Sequence, residues 1–275
     1  MRLDNPAARH PAPRGNPATS RIDAGTARSE PVMSESERLE GPRPSSDPHG
    51  QVRRARMAGL LYLAMAILGG FAQVVRVRIY VPEAAVATAS NVAENATLLR
   101  LSVATDLVQA LVWSALAVVL HRLLRSGGEL LARFMVVSVG VSISIAMLNL
   151  VSQLGAVVVA TTPSYPASLG RAGADALVQL LMTLQYNGYL IAQLSWLWLF
   201  ALGLLGLRSA LLPRAICYLL MLGTIAYALD ALVRFLAPER AALSSGVFFL
   251  PELASEVALL AYLLIRGVRR GRIDD

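Results

Sequence analysis

The sequence predicts an all-α polytopic membrane protein, a bundle of six transmembrane helices with both termini in the cytoplasm. Three observations predict it. Between residues 57 and 272 a long apolar stretch followed by a short Arg-bearing connection recurs six times. Each stretch approaches the ~20 apolar residues that cross a hydrocarbon core of ~30 Å as a helix. Charge is also sparse: 16% of residues are charged and 55% hydrophobic, with a mean hydropathy of +0.54, where a soluble domain carries ~25% charge. In lipid, a helix is the cheapest way for such a run to satisfy its backbone hydrogen bonds.

Residues 1–56 come first and stand apart. They hold eight of the fourteen prolines and mix Arg with Asp and Glu, with few large apolar side chains. Such a segment cannot bury enough surface to offset its ordering entropy. It also lacks the apolar core of a signal peptide. A disordered cytoplasmic tail is therefore expected over 1–56, with Met33 as a second possible start, followed by a transmembrane domain over 57–272.

The spans follow in order. Residues 57–75 carry no charge, and the second stretch, 98–124, is interrupted by Arg100 and Asp106. The third covers 131–160 and the fourth lies within 176–207. The fourth reaches ~48 Å at helical rise, longer than the bilayer, so it tilts, rests at the interface or bends, with Asn187-Gly188 as the expected bend. The fifth covers 213–237 and the sixth 251–267, with Pro163, Pro166, Pro213, Pro238 and Pro251 expected at boundaries, where proline does least damage.

Orientation follows from Arg placement. With the N-terminus inside, Arg53, Arg54, Arg56, Arg122, Arg125, Arg133, Arg208, Arg214, Arg266, Arg269, Arg270 and Arg272 face the cytoplasm. Arg76, Arg78, Arg100, Arg171, Arg234 and Arg240 then lie outside. Cytoplasmic loops are enriched in basic residues, so the excess favours both termini inside a bacterial inner membrane. The net charge of +7 has the same origin, which removes nucleic acid from the expected partners. The expected partners are the lipid bilayer, a small solute or ion, and other membrane proteins.

A few charges lie where charge is costly. An ionised Asp at mid-span costs ~3 kcal/mol even on the lenient insertion scale. Asp106 lies ~12 Å into the second span and Asp230 ~11 Å from the outer end of the fifth, at similar depth. Arg234 shares a helix face with Asp230, and Glu256 with Glu252, because side chains four residues apart are neighbours. The sequence therefore suggests a charge cluster in the outer half of the bundle, in which Arg76, Arg78, Arg100 and Arg234 neutralise Asp106, Asp230 and Glu256, with Glu252 as a further member. Two readings stay open: a solute, ion or proton site, or an ion-pair network that only pins helices together.

Polar stripes point inward too: Ser138, Ser142, Asn149 and Gln153 on the third span, and Gln185, Tyr189, Gln193 and Trp196 on the fourth. Interhelical hydrogen bonding explains such stripes without a ligand. Gly69-Gly70 and Gly140 look like points of close helix approach.

Enzyme constellations are missing. His10, His49 and His121 are the only histidines, Cys217 is the only cysteine, and neither a metal-binding HExxH helix nor a GxSxG elbow occurs. No metal or cofactor is expected. An intramembrane enzyme working through Asp106 and Asp230 stays a remote option.

Four segments carry a family resemblance: RMAGLLYLAMAILGGFAQ from Arg56, VRVRIYVPEAA from Val75, LRLSVATDLV from Leu99, and LLPRAICYLLMLGTIAYALDALVRFLAP from Leu211. Together they resemble a bacterial integral-membrane family known as domain of unknown function 4386, over about residues 53–270. The resemblance implies a multi-pass membrane protein with no assigned activity. It would carry over Asp230 and Arg234 in YALDALVRF, Asp106 in VATDLV, and Arg76 and Arg78 in VRVRIYVP. Function is therefore expected to be non-catalytic, with a small transporter or channel-like protein using the charge cluster as the alternative.

Overall fold

The computed structural model describes residues 48–194 and 196–268. These residues form helices α1 (Pro48–Ile79), α2 (Ala85–Glu94), α3 (Ala96–Leu124), α4 (Glu129–Thr161), α5 (Ser164–Leu194), α6 (Leu197–Ser209), α7 (Arg214–Leu236) and α8 (Ala241–Ile265). Among the described residues there is no strand. Six helical segments are long and apolar enough to cross a membrane, with α5 and α6 together making the fourth. The protein is an all-α multi-pass membrane protein.

Neighbours in the bundle are α1 with α3, α3 with α4, α4 with α5 and α6, α6 with α7, α7 with α8, and α8 with α1, which closes a ring. On α1, Leu60, Ile67 and Val74 are 61%, 62% and 51% exposed. Their seven-residue spacing makes an outward stripe suited to acyl chains. Ala58, Tyr62, Met65, Ala72 and Val75 face inward and are buried.

The spans depart from expectation at three places. Residues 48–56, expected in the tail, begin α1 instead. Ala55 is fully buried, and Val52 and Ala55 lie beside Gly267, while Arg53, Arg54 and Arg56 stay exposed. That sidedness lets the helix continue past the apolar run. The rest of the tail, and Arg269, Arg270 and Arg272, lie outside the described residues.

The fourth span does not bend at Asn187-Gly188. Helix α5 runs through both residues, α6 starts at Leu197, and Gly170 makes a kink nearer the start of α5 at φ 74° and ψ 159°. Gly188 has another use: a Cβ there would collide with the Asn149 side chain of α4, so its bareness brings α4 and α5 together. Gly69 does the same for α1 against Gln109 of α3, whereas Gly70 and Gly140 face open space rather than a neighbouring helix.

Pro251 lies inside the sixth span, not at its boundary, because α8 starts ten residues earlier at Ala241. The segment VFFL before it is apolar. In lipid, unsatisfied backbone groups cost several kcal/mol each, so a helix that carries a proline defect is still preferable to an irregular entry. The short helix α2 had no place in the expected six spans. It buries Thr88, Ala89 and Val92, and Thr88 Oγ1 ties it to the Val81 backbone, accepting from its N–H at 3.1 Å and donating to its carbonyl at 3.0 Å.

Two apolar cores fill the bundle. One gathers Tyr62, Trp113, Leu120, Met135, Leu202 and Leu263; the other gathers Val75, Leu99, Val157, Val178 and Met182. Between the two cores α1, α3 and α4 carry polar and small residues such as Gly69, Gln73, Asp106, Gln109, Ser142 and Asn149 among apolar ones, and this is where the bundle opens into a cavity.

Candidate functional site

The cavity has a volume of about 320 Å³ and draws its walls from every helix except α2. Helix α1 contributes Tyr62, Gln73 and Arg76, α3 contributes Asp106, Gln109 and Trp113, and α4 contributes Ser142 and Asn149. Gln185 and Tyr189 of α5, Trp196 and Trp198 at and just beyond the break between α5 and α6, Tyr227 of α7 and Glu256 of α8 complete it. The helical period explains the convergence. Tyr62, Gly69, Gln73 and Arg76 fall at spacings of seven, four and three, and Asp106, Gln109 and Trp113 at three and four, so each set lies on one face.

The buried charges are matched in two separate units. Arg76 Nη1 donates to Asp106 Oδ2 at 2.5 Å across α1 and α3, and Arg76 Nε donates to Gln73 at 3.2 Å. The guanidinium also lies 5.9 Å from the centre of the Tyr189 ring, within range of a cation–π attraction. The second unit is on α7. Arg234 Nε donates to Asp230 Oδ2 at 2.7 Å, and Arg234 Nη1 donates to the Tyr186 hydroxyl of α5 at 2.7 Å.

The remaining acids are placed differently. Glu256 accepts a 2.7 Å hydrogen bond from the Tyr227 hydroxyl and lines the cavity. Glu252 keeps one carboxylate oxygen buried without a hydrogen-bond partner among the described residues. They lie in the fourth and fifth turns of α8 rather than at its start. Arg78 and Arg100 are exposed and make no ion pair among the described residues. The eight candidate residues thus divide into two ion pairs, two carboxylates on α8 and two outward cations. Asp106 and Asp230 each meet a guanidinium and neither faces lipid.

A second opening of about 310 Å³ shares Gln73, Arg76, Gln185 and Tyr189 with the first and adds Val77, Tyr80, Pro82 and Tyr186. It lies toward the end of the bundle where α1 finishes. Arg76 and Tyr189 stand between the two spaces.

The sequence of this bundle has a place among known proteins. A profile described as domain of unknown function (DUF4386) matches residues 57–267. The chain belongs to that family. No curated protein and no solved structure matches it. The DUF4386 region begins after the first nine residues of α1 and includes every residue that lines the cavity.

Within this DUF4386 bundle the polar stripes divide between packing and lining. Gln153 Nε2 donates to Ser102 Oγ at 2.8 Å and the Leu99 carbonyl at 3.3 Å, which fastens α4 to α3. Ser138 is buried; Ser142 and Asn149 line the cavity, as do Gln185, Tyr189 and Trp196. Gln193 falls outside the described side chains. Sequence reasoning missed Tyr62, Gln73, Gln109, Trp113, Trp198 and Tyr227. A signal was present: all three tryptophans sit inside spans, whereas tryptophan in membrane proteins gathers at the interfaces.

Proposed function

We propose that this DUF4386 protein is a non-catalytic inner-membrane protein that binds a small solute in its central cavity and carries it, as a transporter or channel-like protein does. The observation that carries this reading is a space between two apolar cores at mid-bundle whose mainly apolar wall is set with charged and polar side chains. Groups such as Arg76, Asp106, Gln109 and Asn149 are expensive to desolvate, and inside a membrane they ordinarily mark a ligand path. A discontinuous helix beside the space supports the same reading. Helix α5 ends at Leu194 and α6 starts at Leu197, and Trp196 and Trp198 on either side of that start both line the cavity. Interrupted helices are how many transporters expose binding groups at the bilayer midplane. The excess of Arg at the end holding Arg53, Arg122 and Arg208 supports cytoplasmic termini. The second opening would then face the opposite side, as the outer half of the path.

The test is a thermal-shift screen of the purified full chain against ions, small metabolites and lipids, run beside the variant G70L. Gly70 lines the cavity, and a Cβ there meets nothing within 4 Å, so the larger side chain enters space without disturbing packing. At least one small solute should stabilise the wild type, and that stabilisation should vanish in G70L while its own melting temperature holds. A folded G70L that responds to every stabilising solute as the wild type does would overturn the reading.

A further inference from the structure

Resting on that reading of the cavity, we infer that the solute is an organic cation, an amine or quaternary ammonium with a small oxygen acceptor. The first reason is the choice of aromatic residues. All three tryptophans of the chain and Tyr62, Tyr189 and Tyr227 line the cavity, while none of the six phenylalanines does. The other five tyrosines lie elsewhere, so the sorting is complete for tryptophan alone. Cation–π attraction favours that residue, because indole gives the strongest ring face for a cation.

The rings are also arranged as walls. Tyr62 and Trp198 meet at 81°, Trp113 and Trp198 at 64°, and Trp196 and Tyr227 at 67°. Rings set near right angles turn their faces in different directions, which suits an ammonium group that attracts several faces at once. The cavity already holds one cation this way, since the Arg76 guanidinium lies over Tyr189.

The second reason is charge. Of the ionisable acids and bases lining the cavity, Arg76 is matched by Asp106, which leaves Glu256 with no guanidinium partner. Its hydrogen bond comes from a neutral phenol, Tyr227, whose ring also belongs to the aromatic wall. A carboxyl group with no guanidinium partner and the ring faces are therefore adjacent. The third reason is unused donors: the indole N–H groups of Trp113 and Trp198 are buried with no acceptor among the described residues. An oxygen on the same ligand would satisfy one of them, as buried polar groups ordinarily require.

The probe is choline, and the control is dimethylbutanol, its uncharged carbon isostere. Tryptophan emission and melting temperature of the purified full chain are followed during titration. Choline should shift both saturably, and the isostere should bind about 10-fold more weakly or worse, the factor that about 1.4 kcal/mol of cation attraction gives. The variant E256Q keeps an acceptor for Tyr227 and should weaken choline binding by a similar factor, and W196F should weaken it by a few fold. Equal binding of choline and its isostere to the wild type would overturn the inference whether or not E256Q folds, as would unchanged choline affinity in a folded E256Q. A neutral or anionic solute that shifts tryptophan emission and loses its effect in G70L would overturn the cation inference while leaving the cavity reading in place. A protein that answers no solute of any class loses both.

Discussion

The two buried ion pairs use the same chemistry in opposite ways. Asp106 and Arg76 come from different helices thirty residues apart in sequence, whereas Asp230 and Arg234 lie one turn apart on α7. The α7 pair forms as soon as that helix forms, so its charges can enter the bilayer already neutralised. The α1–α3 pair exists only once both helices stand side by side. Its side chains are also more evenly enclosed, at 9% and 10% exposure against 20% for Arg234. A pair within one helix solves the problem of insertion; a pair between helices specifies which helices meet.

The sharpest way to break this contrast is to remove one acid from each. D106N leaves a buried guanidinium with only Gln73 and the Tyr189 ring, and removing one partner of a buried pair costs about 3–5 kcal/mol. Denaturant unfolding of the detergent-solubilised chain should show a loss of that size. The double variant R76Q/D106N should regain most of it, since two neutral amides can bond one another. A D106N chain as stable as wild type would mean that α1 and α3 are held by their apolar contacts alone.

That pair also marks how far the sequence could be read. Hydrophobic length and Arg placement made the six spans legible because lipid imposes one rule on every segment. The boundaries were less legible, since Pro251 and the Arg-bearing start of α1 are decided by what packs beside them. Within the site, the i,i+4 bond of Asp230 to Arg234 follows from helical geometry, but the choice of Arg76 as the partner of Asp106 does not. Helical spacing already turns Arg100 away from Asp106 on α3, but nothing along the chain says which of Arg76 and Arg78 turns inward until α1 has a fixed rotation. The aromatic lining stayed hidden for a similar reason: Trp113, Trp198 and Tyr227 come from three helices whose order around the ring is not written in any one of them.

The α7 pair should respond more mildly. In D230N the Arg234 guanidinium keeps its hydrogen bond to Tyr186 and its partial access to solvent, so the expected loss is about 1–2 kcal/mol, the scale of one hydrogen bond to a charged group. Y186F removes the bond that links α7 to α5 and should cost about 0.6 kcal/mol, the average for a hydrogen bond between membrane helices. The order D106N, D230N, Y186F in a single unfolding series is the measurement. An inverted order would mean that the α7 unit, not the α1–α3 bridge, organises the bundle.

The smallest effects belong to the two cations that point outward. Helical residues advance about 100° each, so Arg78 is turned about 200° from Arg76, and Arg100 lies about 120° off the face that carries Asp106. Neither can reach the buried acids without unwinding its helix, and both are exposed. R78Q and R100Q should therefore change stability by less than about 0.5 kcal/mol, the usual range for exposed positions. Each can be combined with D106N: if the guanidiniums are independent of the buried pair, the losses add. A loss in R100Q that disappears in the D106N background would show that Arg100 feels Asp106 after all, and the two closed pairs would then have to be treated as one shared network.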